Sequence, residues 1–250
     1  MRAGCKQELD GAAGWYDRAP IRYNMSVGCR PWSCTREVFK RMALSARTLS
    51  DAVLPRSRAL PAGLLRDGAL VLGGSLVVAL LAQVSIPLQP VPVTGQTLGV
   101  LLVGAALGWR RGALAMLAYN AEGTMGLPVF AEGKAGPAVL AGPTGGYLVG
   151  FVLAAALVGA LAERGWDRRP LTMALAMVLG NLAIYALGAS WLAHWLMAAP
   201  MPAGAALHAA WDAGVAPFLP GDALKLIVAV IALPGTWALL RRMGAYAPER

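Results

Sequence analysis

The stretch FLPGDALKLIVAVIALPGTWALLRR, residues 218–242, decides the fold. From Leu226 to Leu240 it carries no charge, and it ends on Arg241 and Arg242. An apolar run bounded in this way reads as a membrane-spanning helix, which needs roughly 20 residues. Pro220 and Gly221 suit a turn into that helix. Asp222 then falls in the first turn, where the helix dipole favours an anion. Lys225 lies three residues on, hence on the same face. A charge at the centre of a span costs about 3 kcal/mol, and less near an end. Two readings of the pair stand at this point. Either it caps the helix and snorkels to the interface, or it lines an externally open pocket. In the second case Lys225 or a neighbour takes a carboxylate and Asp222 accepts N–H bonds.

The same apolar character extends back to Leu64, broken by short Pro, Gly and Arg clusters. Six spans are predicted, at about 66–86, 96–108, 112–126, 143–162, 171–197 and 220–240. The second and third are short and Gly-punctuated, so at membrane depth neighbouring protein must cover their ends. Overall 57% of the chain is hydrophobic and 14% charged, against roughly a quarter charged in a soluble domain. With both termini inside, the cytoplasmic connections hold Arg110, Arg111, Arg164, Arg168, Arg169, Arg241, Arg242 and Arg250. The external ones hold only Lys134. That is the positive-inside pattern.

Residues 1 to about 60 differ in kind: mixed, Arg-rich and without sustained period, though Arg36 to Leu54 has some helical spacing. This extension is expected to be poorly ordered, with the membrane domain over residues 61–245. No run in it resembles the apolar core of a secretory signal. Met25 and Met42 are each plausible starts, so part of the extension is a candidate for removal from the natural chain. Of the 22 Lys and Arg, 12 lie at or before Arg66. The basic charge is thus a tail facing anionic lipid, with no nucleic-acid-binding face. Cys5, Cys29 and Cys34 form neither a disulfide framework nor a zinc site.

Small residues at helix-packing spacing occur at Ala69/Gly73, Ser75/Ala79 and Gly146/Gly150. They serve packing within the bundle or docking on a partner. The first external loop, Ile86 to Gln96, has three prolines and no charge; it is a lid or a connector. Gln96 both donates and accepts, and such amides are costly unless paired. Glu122 ends the third span, interfacial or ligand-facing. Gly142-Pro-Thr-Gly-Gly-Tyr147 lacks the Lys-Ser/Thr of a nucleotide loop and reads as a helix start. No HExxH, GxSxG or Walker sequence is present, and His194 and His208 lack metal-ligand spacing. Nothing marks an enzyme, a cofactor or a metal.

Five segments in this order resemble the BioY family, the substrate-capture (S) components of energy-coupling-factor (ECF) biotin transporters. They are Pro90-Val-Pro-Val with Gln96-Thr-Leu, Leu107-Gly-Trp-Arg-Arg-Gly-Ala-Leu, Gly126-Leu-Pro-Val-Phe130, Gly142 to Tyr147, and Phe218 to Lys225. The likeness covers about residues 66 to 243; residues 1–60 depart from it. It implies an all-α, six-transmembrane-helix ECF S-component bundle in the cell (inner) membrane, with both termini cytoplasmic. Biotin is then held near the outer face under the first two external loops. By the same likeness Asp222 and Lys225 hydrogen-bond biotin, and Lys134 stands where relatives carry an amide. Gln96 and Tyr147 are further pocket members. The implied partners are biotin, the lipid bilayer, a membrane coupling subunit and two ATP-binding subunits, with function alone as the alternative. An S component for another vitamin and a lipid-modifying membrane enzyme are the rival readings.

Overall fold

The structure, a computed structural model, describes residues 48–54, 60–198 and 202–243. Most of the basic extension, its three cysteines and residues 244–250 lie outside the described residues. The elements in order are α1 (Leu49–Val53), α2 (Leu60–Gln83), β1 (Ser85–Ile86), β2 (Val93–Thr94), α3 (Gln96–Leu107) and α4 (Trp109–Thr124). There follow α5 (Pro137–Ala141), α6 (Gly145–Glu163), α7 (Pro170–Met197), α8 (Ala203–Gly214) and α9 (Leu219–Arg242).

Each of the six apolar runs is helical. Four stretches are long and apolar enough to cross a membrane: Ala62–Gln83, Gly145–Glu163, Pro170–Met197 and Ala203–Arg242. Of the most apolar part of α6, 67% is buried, against 22–33% for the other three. The bundle is therefore built around α6. The short helices α3 and α4 pack on it through glycines. A Cβ on Gly104 would stand 2.7 Å from the Ala155 carbonyl oxygen, and one on Gly112 2.9 Å from the Gly104 Cα. Only bare backbone lets three helices approach so closely. Gly108, with φ of 83°, makes the break between α3 and α4 in a conformation that side chains resist. Gly150 lies against the Ile184 backbone, so the small-residue spacing on α6 serves packing inside the bundle. On α2 the spacing divides. Ser75 and Ala79 are buried, whereas Ala69 and Gly73 point outward beside exposed Leu65, Leu72, Leu76 and Leu80.

Helices α1 and α8 lie outside the six predicted spans. Helix α8 occupies a predicted external connection and buries Ala206, Ala210 and Gly214 at helical spacing. Helix α1 falls in the extension expected to end near residue 60, but is packed onto the bundle. Thr48 caps it, Ala52 is buried with Trp237 and Leu240, and Asp51 pairs with Arg66 and Arg111. The same pairing explains why α2 starts before its predicted boundary. Arg66, which reads as the edge of an apolar run, is held by Asp51 at 3.0 Å and continues the helix.

Candidate functional site

A cavity of about 320 Å³ opens at the end of the bundle where α3, α6 and α9 begin. That volume sits at the lower end of the range for small-molecule sites. Its walls come from separate elements. The two-stranded pair β1–β2, with Ser85 opposite Thr94 and Ile86 opposite Val93, carries the Pro-rich loop across one side as Gln89, Pro90, Val91 and Pro92. The first turn of α3 supplies Gln96 and Thr97, and the following loop Phe130, Ala131 and Lys134. Helix α6 presents Tyr147, Leu148 and Phe151, one face at i, i+1 and i+4. Ile184 and Tyr185 of α7 and Phe218 before α9 close the far wall.

The polar members of the wall are tightly held. Gln96 accepts from the Thr94 hydroxyl at 2.8 Å and donates to the Tyr119 oxygen at 2.5 Å. Tyr119 in turn donates to the Val129 carbonyl at 3.1 Å. The amide of Gln96 is thus fully oriented, which removes the penalty of burying it. Tyr147 gives its hydroxyl proton to the Gly214 carbonyl at 2.8 Å, and its ring stacks on Phe218 with centroids 6.4 Å apart. It therefore faces the cavity as an apolar ring. Lys134 is half exposed at the rim and pairs with Glu132 at 2.6 Å.

Asp222 and Lys225 stand elsewhere than the sequence reading expects. Neither lines this cavity; both border a separate void of about 10 Å³ behind its wall. Lys225 Nζ donates to Asp222 Oδ1 at 3.0 Å and to the Thr97 hydroxyl at 2.7 Å. Thr97 donates to Asp222 Oδ1 at 3.3 Å, and Tyr185 donates to Oδ2. A buried carboxylate is tolerated when its lone pairs are taken, and neighbouring hydroxyls take them here. The pair therefore reaches the cavity only through Thr97 and Tyr185, two residues the sequence reading did not single out. The available signal was Asn181 and Tyr185, polar side chains at i and i+4 inside an otherwise apolar run. Glu122 does not line the cavity and accepts from the buried Ser75 hydroxyl at 2.8 Å, a bond between α4 and α2.

Comparison with known proteins agrees with this architecture. The BioY family model matches residues 49–242. The chain is 41% identical over 183 residues to a biotin transporter BioY of Rhodobacter capsulatus, covering 70% of this chain and 90% of that protein. It is 42% identical over 151 residues to a biotin transporter BioY of Thermotoga maritima, covering 60% and 83%. Among solved structures it is similar to the S-component for biotin from an ECF-type ABC transporter. The TM-score is 0.58 at 23% identity, over 74% of this chain and 95% of that one, a likeness of fold. With the family model matched over most of its length and close relatives almost fully spanned, this multi-pass membrane chain belongs to the BioY family.

Proposed function

We propose that this chain is the biotin-binding membrane subunit of a biotin uptake transporter, capturing the vitamin at the external face. The observation that carries the reading is the cavity, walled mainly by apolar side chains with a few polar ones among them, Gln96, Thr97, Lys134 and Tyr185. Biotin has the matching chemistry: a ureido ring with two N–H donors and a carbonyl, an apolar thioether ring, and a chain ending in a carboxylate. The carboxylate lies toward Lys134 at the rim, the rings between Tyr147, Phe151, Ile184 and Phe218, and the ureido group toward Thr97, Tyr185 and the Asp222–Lys225 pair. Gln96 fixes the near wall. The Pro-rich loop acts as the lid. All six apolar helices cross the bilayer, α3 and α4 under cover of their neighbours, with the arginine-rich ends of the helices and both termini cytoplasmic in the inner membrane.

Capture is the whole of this chain's task in that reading; no bond of the ligand is made or broken. Import follows when a membrane coupling subunit with two ATP-binding subunits docks. The outward face of α2 suits such docking. A Cβ added to Gly68 or Gly73 meets nothing within 4 Å, and small residues let a partner helix approach closely.

Titration of the detergent-purified protein with biotin tests the core of the reading. Saturable binding, one vitamin per chain, is expected; tight binding of thiamine or riboflavin with none of biotin would overturn it. Labelled-biotin uptake in cells with and without the coupling subunits tests the docking, and uptake undiminished without them refutes it.

A further inference from the structure

The barrier between the cavity and the buried ion pair is one side chain thick. Tyr185 and Thr97 line the cavity, and both donate to Asp222 on their far side. The two oxygens of that carboxylate are not served alike. Oδ1 is shared by Lys225 and Thr97, while among the described residues Tyr185 is the only donor to Oδ2. Removing the Tyr185 hydroxyl would therefore open one lone-pair face of a buried carboxylate to an apolar cavity, a costly exposure without a replacement donor. Behind the barrier the small void is bordered by Thr97, Asn181, Asp222 and Lys225, and Asn181 Oδ1 is buried without a hydrogen-bond partner. Polar capacity thus remains on the far side of Tyr185.

We propose that Tyr185 is a stand-in for the ligand: its hydroxyl satisfies Asp222 Oδ2 in the empty site and yields that oxygen to a ligand N–H on binding. This rests on the vitamin reading above and deepens it. The exchange is between donors of one kind, so a ureido N–H replaces the phenol at little net cost. A ligand of similar shape but without an N–H displaces the phenol and returns nothing, leaving a buried charge short of a partner. Selection of this type is stronger than any apolar wall provides, because an unmade bond to a buried charge is expensive. The Tyr185 ring is half-buried against the core, and the exchange requires only that its hydroxyl give up Asp222 Oδ2. Its other marked contact is an edge-on approach to Phe218 at 6.4 Å, with no second hydrogen bond to the phenol oxygen among the described residues.

The sign of one substitution tests this. In Tyr185→Phe the empty site no longer holds a bond that binding must break, so biotin binds about tenfold tighter than to the wild type. Desthiobiotin, which keeps the ureido group and lacks the thioether ring, gains by the same factor. Weaker or unchanged biotin binding overturns the proposal, since Tyr185 would then touch the ligand directly or only pack. A gain confined to one of the two ligands also overturns it, because that gain would report space and not the exchanged bond. A measurement on the wild type stands beside the variant: biotin binding produces a tyrosine ultraviolet difference signal as the phenol leaves the carboxylate. Absence of that signal refutes the exchange even if the variant does not fold. If biotin binds neither protein, the vitamin reading falls and this proposal with it.

Discussion

The two ends of the bundle handle charge in opposite ways. At the cavity end the walls are rings, prolines and aliphatic chains, and the ion pair Asp222–Lys225 is withdrawn behind them. At the other end a cleft of about 260 Å³ is lined by the charges themselves: Arg66, Asp67, Arg110, Arg111 and Glu163. There the bonds run between elements. Asp51 of α1 takes Arg111 of α4 at 2.9 Å and Arg66 of α2 at 3.0 Å, and Glu163 of α6 accepts from the Trp109 backbone at 3.1 Å. Asp222 and Lys225 are neighbours on one helix and bond chiefly to each other and to hydroxyls. The first network ties α1, α2 and α4 through charged pairs and holds the fold; the second joins α9 to α3 and α7 through hydroxyls beside the cavity, bonds of a kind that a ligand can replace.

The largest expected effect follows from breaking the first network. Asp51→Ala leaves Arg111, 7% exposed, with only the longer pairing to Asp67 at 3.6 Å, and should destabilise the folded protein by about 3 kcal/mol. Thermal unfolding in detergent measures it, with biotin affinity of the folded fraction unchanged. Burial alone would raise the Asp51 carboxyl. The Thr48 hydroxyl bond and the Arg111 and Arg66 guanidinium groups outweigh it and hold the carboxyl below its ordinary value. The stability this contributes is present above the unfolded value, near 4, and is lost as pH falls through the lower folded value.

A second carboxylate at the same end has the opposite sign. Asp167, in the turn between α6 and α7, is fully buried, and burial pushes it up to about 6 despite the Trp237 indole bond at 2.5 Å. Its folded value exceeds its unfolded one, so stability is fullest below about 4 and declines as pH rises through 6. Asp167→Asn keeps an acceptor for Trp237 and removes the charge. The unfolding free energy at pH 7 should rise by an amount on the order of 2 kcal/mol, read as a higher thermal midpoint, and the decline in stability between pH 4 and 6 should vanish. An unchanged pH profile would show that another group sets it.

The cavity end responds in binding. Asp222→Asn and Lys225→Ala should each weaken biotin binding by more than tenfold, about 1.4 kcal/mol, with a smaller loss of stability than Asp51→Ala. Titration and thermal unfolding of the same samples separate the two effects. Unchanged binding in both variants removes the pair from the site.

How much of this was legible in the sequence depends on the range of the interaction. Helices α2, α6, α7 and α9 announce themselves as long apolar runs, and α3 and α4 as short ones broken by Gly, because hydropathy is a local property. Helix α8 escaped notice because its Ala-rich stretch is short and interrupted by His208, Trp211 and Asp212. Helix α1 falls in the Arg36–Leu54 stretch whose spacing suggests a short helix, but its docking was not readable there, because that comes from Arg66 and Arg111, 15 and 60 residues away from Asp51. The chemistry of Asp222 and Lys225 was readable from their place in a helix turn. Their separation from the cavity was not, because it depends on where α3 and α7 set Thr97 and Tyr185 against α9. Gln96, Tyr147 and Lys134 line the cavity, and Tyr147 turns its hydroxyl to Gly214, a partner 67 residues on.

The smallest expected effect sharpens the contrast from the cavity side. Among the described residues Lys134 is the one cation lining the cavity, and the proposed site gives it the ligand carboxylate. It is half exposed and already bonded to Glu132, so water and a carboxylate both compete for its charge. Exposed pairs of this kind contribute from nothing to about 1 kcal/mol. Lys134→Gln keeps a donor at the rim while removing the charge, so biotin affinity should fall by less than about threefold, with the loss shrinking further in high salt. A loss as large as that for Lys225→Ala would mean that the rim closes over the ligand and excludes water around Lys134. The distinction between an open mouth and a buried pair would then have to be drawn for the bound state alone.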